Sequence, residues 1–277
     1  MKIVNRLFLY MLLSFMVIAC SKENASGDNE QDPTPNGKED VIRVAVYNTH
    51  WCTGVDGVLS PERIANVLKS INADVIALNE IDRHYDPRSD YQDQLQIIAD
   101  ALEMNYQFQK TTWKSAIPAS GNKPREFGHA ILSKEPIQFL NARIFDAHGL
   151  HYAGLLETKI TVKDKPILFY VTHLDTDPMA LQSQSVQLKQ WMAEREGTKI
   201  LMGDLNAVPE NSSLRYIKNG MVDAFEQQPN AFTFKSNNPT IRIDYILGSE
   251  HVEFTNSRVI KTLVSDHFPI VTELKIK

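Results

Sequence analysis

The sequence predicts a layered α/β domain with extensive antiparallel pairing, spanning residues 41–277. Two observations lead there. Strand-like apolar runs outnumber helical patterns, and several neighbouring runs have no helix between them, unlike a doubly wound parallel sheet. The composition, 43% hydrophobic and 23% charged, suits a chain that buries a sizeable core. No internal repeat, low-complexity tract or second linker divides 41–277.

In chain order, residues 1–20 come first. Lys2 and Arg6 precede an apolar run from Leu7 to Ile18, which ends in Val17-Ile18-Ala19-Cys20. The run is short for a bilayer span, so the expectation is a secretory signal. Its end resembles a bacterial lipobox, which implies a lipidated Cys20 as mature N-terminus. Acyl chains there would hold the protein to a bacterial membrane, on its periplasmic or cell-surface side. Residues 21–40, SKENASGDNEQDPTPNGKED, contain no large apolar residue and are expected to be a flexible linker.

The apolar runs are Ile42–Tyr47, Asp74–Leu78, Ala130–Leu132, Leu155–Val162, Ile167–Val171, Ile200–Met202, Ile243–Leu247, Val252–Phe254 and Pro269–Ile276. Gly, Pro, Asn or Asp bound most of them. Ser60-Pro61 provides an N-cap with proline behind it, and Ile64, Val67, Leu68 and Ile71 recur at helical spacing. Leu95, Ile98, Ala99 and Leu102 do the same, and a third helix is expected from about Ser183 to Glu196.

Polar residues collect at the ends of these runs: Asn48, Asn79 with Glu80, His173 with Asp175, Asp204 with Asn206, then Asp244, and Asp266 with His267. Taken singly, each has an ordinary explanation as a turn, surface or satisfied core residue. Repeated at six runs, acids, amides and imidazoles describe a hard-metal phosphate site at the rim of a sheet. Oxygen ligands such as Glu80 and Asp266 suit Mg²⁺. No histidine pair has H-x-x-x-H spacing, and two cysteines exclude a thiolate zinc cluster. With Cys20 spent on lipid, Cys52 has no disulfide partner and is expected to pack in the core.

At these residues the chain resembles the endonuclease/exonuclease/phosphatase superfamily. NEID, AILSK, THLD, GDLNAVP, RIDYIL and SDHFP stand in that family's order, over nearly all of 41–277. The resemblance implies a four-layer α/β/β/α sandwich of two mixed sheets flanked by helices, like deoxyribonuclease I. It implies that Glu80 holds the metal, Mg²⁺ or else Mn²⁺, helped by Asn48 and Asp266. Asp204 would orient or deprotonate the attacking water, while Asn206 and His173 donate to the phosphoryl oxygens. Asp244 would orient His267 as general base or transition-state stabiliser. Phosphoryl transfer needs an in-line water and compensation of negative charge, so no Ser or Cys nucleophile is required.

Two positions depart from the family's pattern. His129 stands before AILSK where asparagine is frequent, and is a candidate phosphate contact together with Arg125. His50 follows Asn48 by two residues, where abasic-site endonucleases have an acid, which counts against that subgroup.

The substrate is less legible. The SPERIANVLKSINADVIALNEID stretch and the short segment after His173 resemble the sphingomyelinase-like, small-phosphodiester branch. Removing residues 1–20 leaves 27 basic against 34 acidic side chains, unlike a protein that depends on long phosphate backbones. A lipid headgroup or small-molecule phosphoester is therefore expected, acted on by a monomer outside the cytoplasm. The alternatives are a secreted nuclease, with a groove built from Lys110, Lys114, Lys123 and Arg125, or a catalytically silent binding module. The presence of Glu80, Asp204 and His267 speaks against the latter.

Overall fold

The computed structural model describes residues 41–147, 149 and 152–277. The expected signal, the lipidated Cys20 and the 21–40 linker lie outside them.

Strand β1 (Ile42–Asn48) shows how the layers arise. Ile42, Val44 and Val46 point into one core, Ala45 and Tyr47 into another, and all five are buried. Because side chains alternate across a strand, a strand apolar on both faces must lie between two layers. It pairs in parallel with β2 (Val75–Arg83) and antiparallel with β12 (Ile270–Ile276). Beyond β12 lies β11 (Val252–Val259); beyond β2 lie β4 (Arg125–Ser133) and the edge strand β3 (Asn105–Lys114).

The second sheet repeats the plan. Its parallel pair is β7 (Lys165–His173) with β8 (Thr198–Asp204). On one side lie β6 (Gly154–Val162) and the edge strand β5 (Ile137–Ile144). On the other lie β10 (Asp244–Ser249) and β9 (Met221–Asp223). Val44, Val46, Val75 and Ala77 meet Leu156, Phe169, Val171 and Ile200 between the sheets. The outer faces bury their alternate residues under α1 (Pro61–Ile71) and α2 (Gln94–Leu102), and under α3 (Pro178–Ala193) and α4 (Ser212–Lys218). The fold is the expected α/β/β/α sandwich of two mixed sheets. No helix of the described residues is long and apolar enough to cross a membrane.

Helix starts follow their caps. The Ser60 side chain accepts from the Arg63 amide with Pro61 at the first helical position, an arrangement that contributes about 1 kcal/mol. The third helix begins earlier than its apolar spacing suggests. Asp177 caps it and Pro178 follows, so it runs Pro178–Ala193 and not Ser183–Glu196. Strands β3, β5 and β9 and helix α4 were not expected.

Candidate functional site

The rim residues continue the inward rows of the strands. Asn48 follows Val44 and Val46, Asn79 follows Val75 and Ala77, His173 follows Phe169 and Val171, and Asp204 follows Ile200 and Met202. Asn48 stands opposite Asn79 in one parallel pair, and His173 opposite Asp204 in the other. Both pairs therefore deliver their C-terminal ends to one place. Asn79 joins them: its Nδ2 donates to the Thr172 carbonyl (3.0 Å) and its Oδ1 accepts from the Asp204 amide (2.8 Å). Gly203 (φ 144°) makes the approach possible, since a Cβ there would lie 1.9 Å from the Thr172 carbonyl oxygen.

Glu80 reaches the site by a different device. Strict alternation would turn it toward the helices. Between Leu78 and Ile81 the register of β2 shifts, so that Asn79 and Glu80 together oppose His129. Glu80 adopts φ 59°, a left-handed bulge that returns its side chain to the inner face. The Thr49 hydroxyl donates to the Asn79 and Glu80 carbonyls (both 3.1 Å) and pins the bulge.

Around Asp204 the groups are close and buried. Asn48 Nδ2 donates to Asp204 Oδ2 (3.0 Å) and Glu80 Oε1 (3.2 Å), while its Oδ1 accepts from the His50 amide (3.1 Å). Expected as a metal ligand, Asn48 here presents its amide nitrogen and ties the two carboxylates together. Asn206, left-handed at φ 48°, donates to the Leu174 carbonyl (2.7 Å) and lies 3.1 Å from His173 Nε2. His173 Nε2 is 3.5 Å from Asp204 Oδ2.

Asp244 opens β10 and does not close a strand, as its place in the series of rim residues suggested. β10 runs antiparallel to β8, so its first residue faces Asp204 in register. Its Oδ2 lies 2.9 Å from His267 Nδ1, and His267 Nε2 lies 3.7 Å from Asp204 Oδ2 and 3.9 Å from Asp266 Oδ1. Ser265 fixes this approach to β12, donating to the Asn48 carbonyl (2.7 Å) and accepting from the His267 amide (3.2 Å).

The charges follow from these neighbours. Burial works against a charged His267, yet Asp244 foremost, with Asp204 and Asp266, holds its pKa up at about 10. Burial alone would raise Asp204, but His173 and His267 pull it below the ordinary carboxylate range. His173 is raised: burial opposes its charge, and Asp204 outweighs burial. For Asp266, burial and Glu80 push the carboxyl up against the pull of His267 and His50.

Two features suit a cation. Among the described residues, Glu80 Oε2 is buried with no hydrogen-bond partner, as is Asp244 Oδ1, and a buried carboxylate oxygen left unpaired is costly. Glu80 and Asp266 are hard oxygen donors of the kind Mg²⁺ prefers. Asp204, Asp244 and His267 form a second acid–imidazole group, with one ligand atom each within 4.8 Å of the others.

A cavity of about 450 Å³ opens beside Glu80 and His173. His129 faces it, fully buried, with Nε2 2.9 Å from Gln109 Oε1. Arg125 is not part of its wall: it donates to the Tyr85 carbonyl (2.8 Å) and lies over Tyr91. The arginine on the wall is Arg88, which sequence reasoning missed. The proposed basic groove is also largely spent, with Lys110 on Glu126 (3.1 Å) and Lys114 on Asp86 (2.8 Å). Trp51 and Tyr85 line the cavity too. A left-handed run at His50, Trp51 and Cys52 (φ 49°, 40°, 59°) places Trp51 there, with Cys52 in the core as expected.

Two stacked mixed sheets flanked by helices, with an acid–imidazole cluster at the rim of their parallel pairs, are the deoxyribonuclease I-like fold. The chain belongs to the Endonuclease/Exonuclease/phosphatase family, whose pattern matches residues 45–267. It is similar in structure to an endonuclease/exonuclease/phosphatase from Beutenbergia cavernae (TM-score 0.69, 21% identity, covering 85% of this chain and 72% of that one). It is also similar to a mannosyl-6-phosphatase from Bacteroides thetaiotaomicron (TM-score 0.64, 20% identity, 85% and 100%). The human Nocturnin catalytic domain aligns as well (TM-score 0.63, 18% identity, 86% and 95%). None of the curated proteins matches the chain.

Proposed function

We propose that the protein is a Mg²⁺-dependent phosphoesterase that cleaves a small-molecule or lipid-headgroup phosphodiester by in-line attack of water, outside the cytoplasm. The observation that carries this reading is the buried cluster around Asp204, where two amides, two imidazoles and three further carboxylates converge beside a small cavity.

Glu80 and Asp266 would hold the metal, and Asn48 would orient Glu80 through its amide nitrogen. A metal bound there would supply Lewis acidity. Asp204, kept ionised by His173 and His267, is suited to orient the attacking water and accept its proton. Asn206 and His173 stand ready to donate to oxygens that gain charge. His267, held protonated by Asp244, contributes a positive charge and a proton donor at the same place.

The cavity is bounded and the basic side chains nearby are mostly paired, which supports a small substrate over a nucleic-acid polymer. The fold neighbour described as a mannosyl-6-phosphatase supports a small phosphoester too. Placement outside the cytoplasm rests on the Lys2–Cys20 segment.

The test strips residues 40–277 with chelator, restores Mg²⁺ or Mn²⁺, and compares bis-p-nitrophenyl phosphate with p-nitrophenyl phosphate. Metal-restored diester cleavage that Asp204→Asn abolishes is the expected result. A preference for the monoester would make the protein a phosphatase. No metal-dependent turnover of either ester counts against the reading.

A further inference from the structure

His129 stands buried on the cavity wall, and the chemistry above leaves it unused. Strand β4 carries it there, opposite the bulge that presents Asn79 and Glu80. Its neighbour on β3 fixes its hydrogen bonding. Gln109, itself buried, donates from Nε2 to the Arg143 carbonyl (2.7 Å), which leaves Oε1 facing His129 Nε2 at 2.9 Å. A carbonyl oxygen only accepts, so His129 Nε2 carries the proton in this bond. Gly154 leaves room for the arrangement, since a Cβ there would lie 2.4 Å from Gln109 Nε2.

Burial foremost, with the nearby His173, keeps the His129 ring neutral, so Nδ1 holds a lone pair. Among the described residues no hydrogen bond reaches Nδ1. Donors close by in the strands are engaged elsewhere: the Asn79 amide reaches the Thr172 carbonyl (3.0 Å), and the Thr111 hydroxyl the Phe127 carbonyl (3.4 Å). The N–H that a phosphoryl oxygen requires is spent on Gln109. A phosphoryl oxygen set against the Nδ1 lone pair would meet acceptor with acceptor. A buried acceptor left unpaired is costly, and a donor brought by an occupant of the cavity removes that cost.

We infer that His129 is a specificity-determining residue whose Nδ1 accepts a hydrogen bond from the substrate, and that the preferred ester carries an O–H or N–H donor on the organic group beside its phosphoryl centre. The inference rests on the phosphoesterase reading and deepens it. The donor is either the ammonium of an amino-alcohol headgroup or the hydroxyl of a simple alcohol.

The experiment measures kcat/KM in Mg²⁺ for two pairs of p-nitrophenyl phosphodiesters, each pair differing by the donor. One pair carries ethanolamine or choline, whose methyl groups replace every N–H. The other carries hydroxypropyl or methoxypropyl. In EDTA, protein ¹⁵N-labelled at histidine is titrated with O-phosphoethanolamine, phosphocholine and the hydroxypropyl and methoxypropyl phosphates while the His129 ring nitrogens are followed by NMR. The expected result is a preference of about 10-fold for the donor-bearing member of one pair, as for one hydrogen bond to a buried acceptor. The pair that shows it identifies the donor. The preference disappears in His129→Leu and persists in part in His129→Asn, whose carbonyl still accepts while its amide nitrogen serves Gln109. In the free protein Nε2 is protonated and Nδ1 bare, and only donor-bearing ligands shift the Nδ1 resonance. Equal use of both members of each pair, or a preference that His129→Leu retains, overturns the role of His129. A proton on Nδ1 of the free wild type overturns it too, whether or not the variants fold. Absence of turnover with a donor-dependent shift at Nδ1 overturns the hydrolase reading but upholds the acceptor. Absence of both turnover and shift overturns the inference.

Discussion

His129 offers the sharpest test of how burial governs this site. Its ring is 1% exposed and bonded to the neutral Gln109, and among the described residues no carboxylate favours its charge. Burial first, and the nearby His173 second, lower its pKa to about 3, against an ordinary value of 6.5. Between those values the unfolded chain binds a proton that the folded protein refuses. The unfolded state then holds more protons, so stability rises with pH across this window and falls on acidification. Each unit corresponds to about 1.36 kcal/mol, so acidification from neutrality to about pH 5 costs about 2 kcal/mol through this residue. His129→Asn can still bond to Gln109 and cannot titrate. Urea unfolding of both metal-free proteins at pH 7.5 and pH 5 provides the comparison. The variant should lose about 2 kcal/mol less than the wild type on acidification. Other histidines and carboxylates are common to both proteins and cancel in the difference. Equal acid sensitivity of the two proteins would refute the argument.

Further expectations concern backbone, metal and ion pairs. Gly203→Ala should lower the unfolding free energy by about 3 kcal/mol or more, read by thermal denaturation, because the added Cβ meets the Thr172 carbonyl at 1.9 Å. Glu80→Gln should leave the chelated protein no less stable, since Glu80 Oε2 is buried and unpaired among the described residues, and should abolish the rise in Tm expected of the wild type on adding Mg²⁺. Asp223→Asn should cost about 3 to 5 kcal/mol by stranding the buried Arg242, which bonds it at 2.9 and 2.8 Å. Burial raises the Asp223 carboxyl, but Arg242 more than offsets this and holds it low. Its stabilisation is therefore present above about pH 4 and lost as pH falls through the lowered value, so the gap between wild type and Asp223→Asn should narrow in acid.

Much of the sandwich was legible because central strands bury both faces. Runs such as VAVY, VIAL and KILM need no partner to be recognised, and the row that ends in Asn48 or Asp204 is set by alternation alone. The edge strands β3, β5, β9 and β11 were missed or found only in part. An edge strand such as NYQFQKTTWK is half exposed and carries no continuous apolar signal. Helix α4 is seven residues long, too short for a period to show.

For the site, the chain itself determined which chemistry is present: acids, amides and imidazoles placed at the ends of rigid strands, in the order of one family. Tertiary structure decided how they meet. Only the bulge turns Glu80 inward, and only the crossing of two sheets brings Asn79 to Asp204, residues 125 positions apart. The sequence pointed to Arg125, and nothing in it marked Arg88. The deciding facts are a buried carboxylate at Asp82 and a left-handed turn at Trp51, which hold Arg88 at the cavity, while the Tyr85 carbonyl keeps Arg125 away. Alternation is a local property that a linear sequence records. A side chain's final neighbours depend on contacts between segments far apart in the chain, and those exist only once the layers have packed.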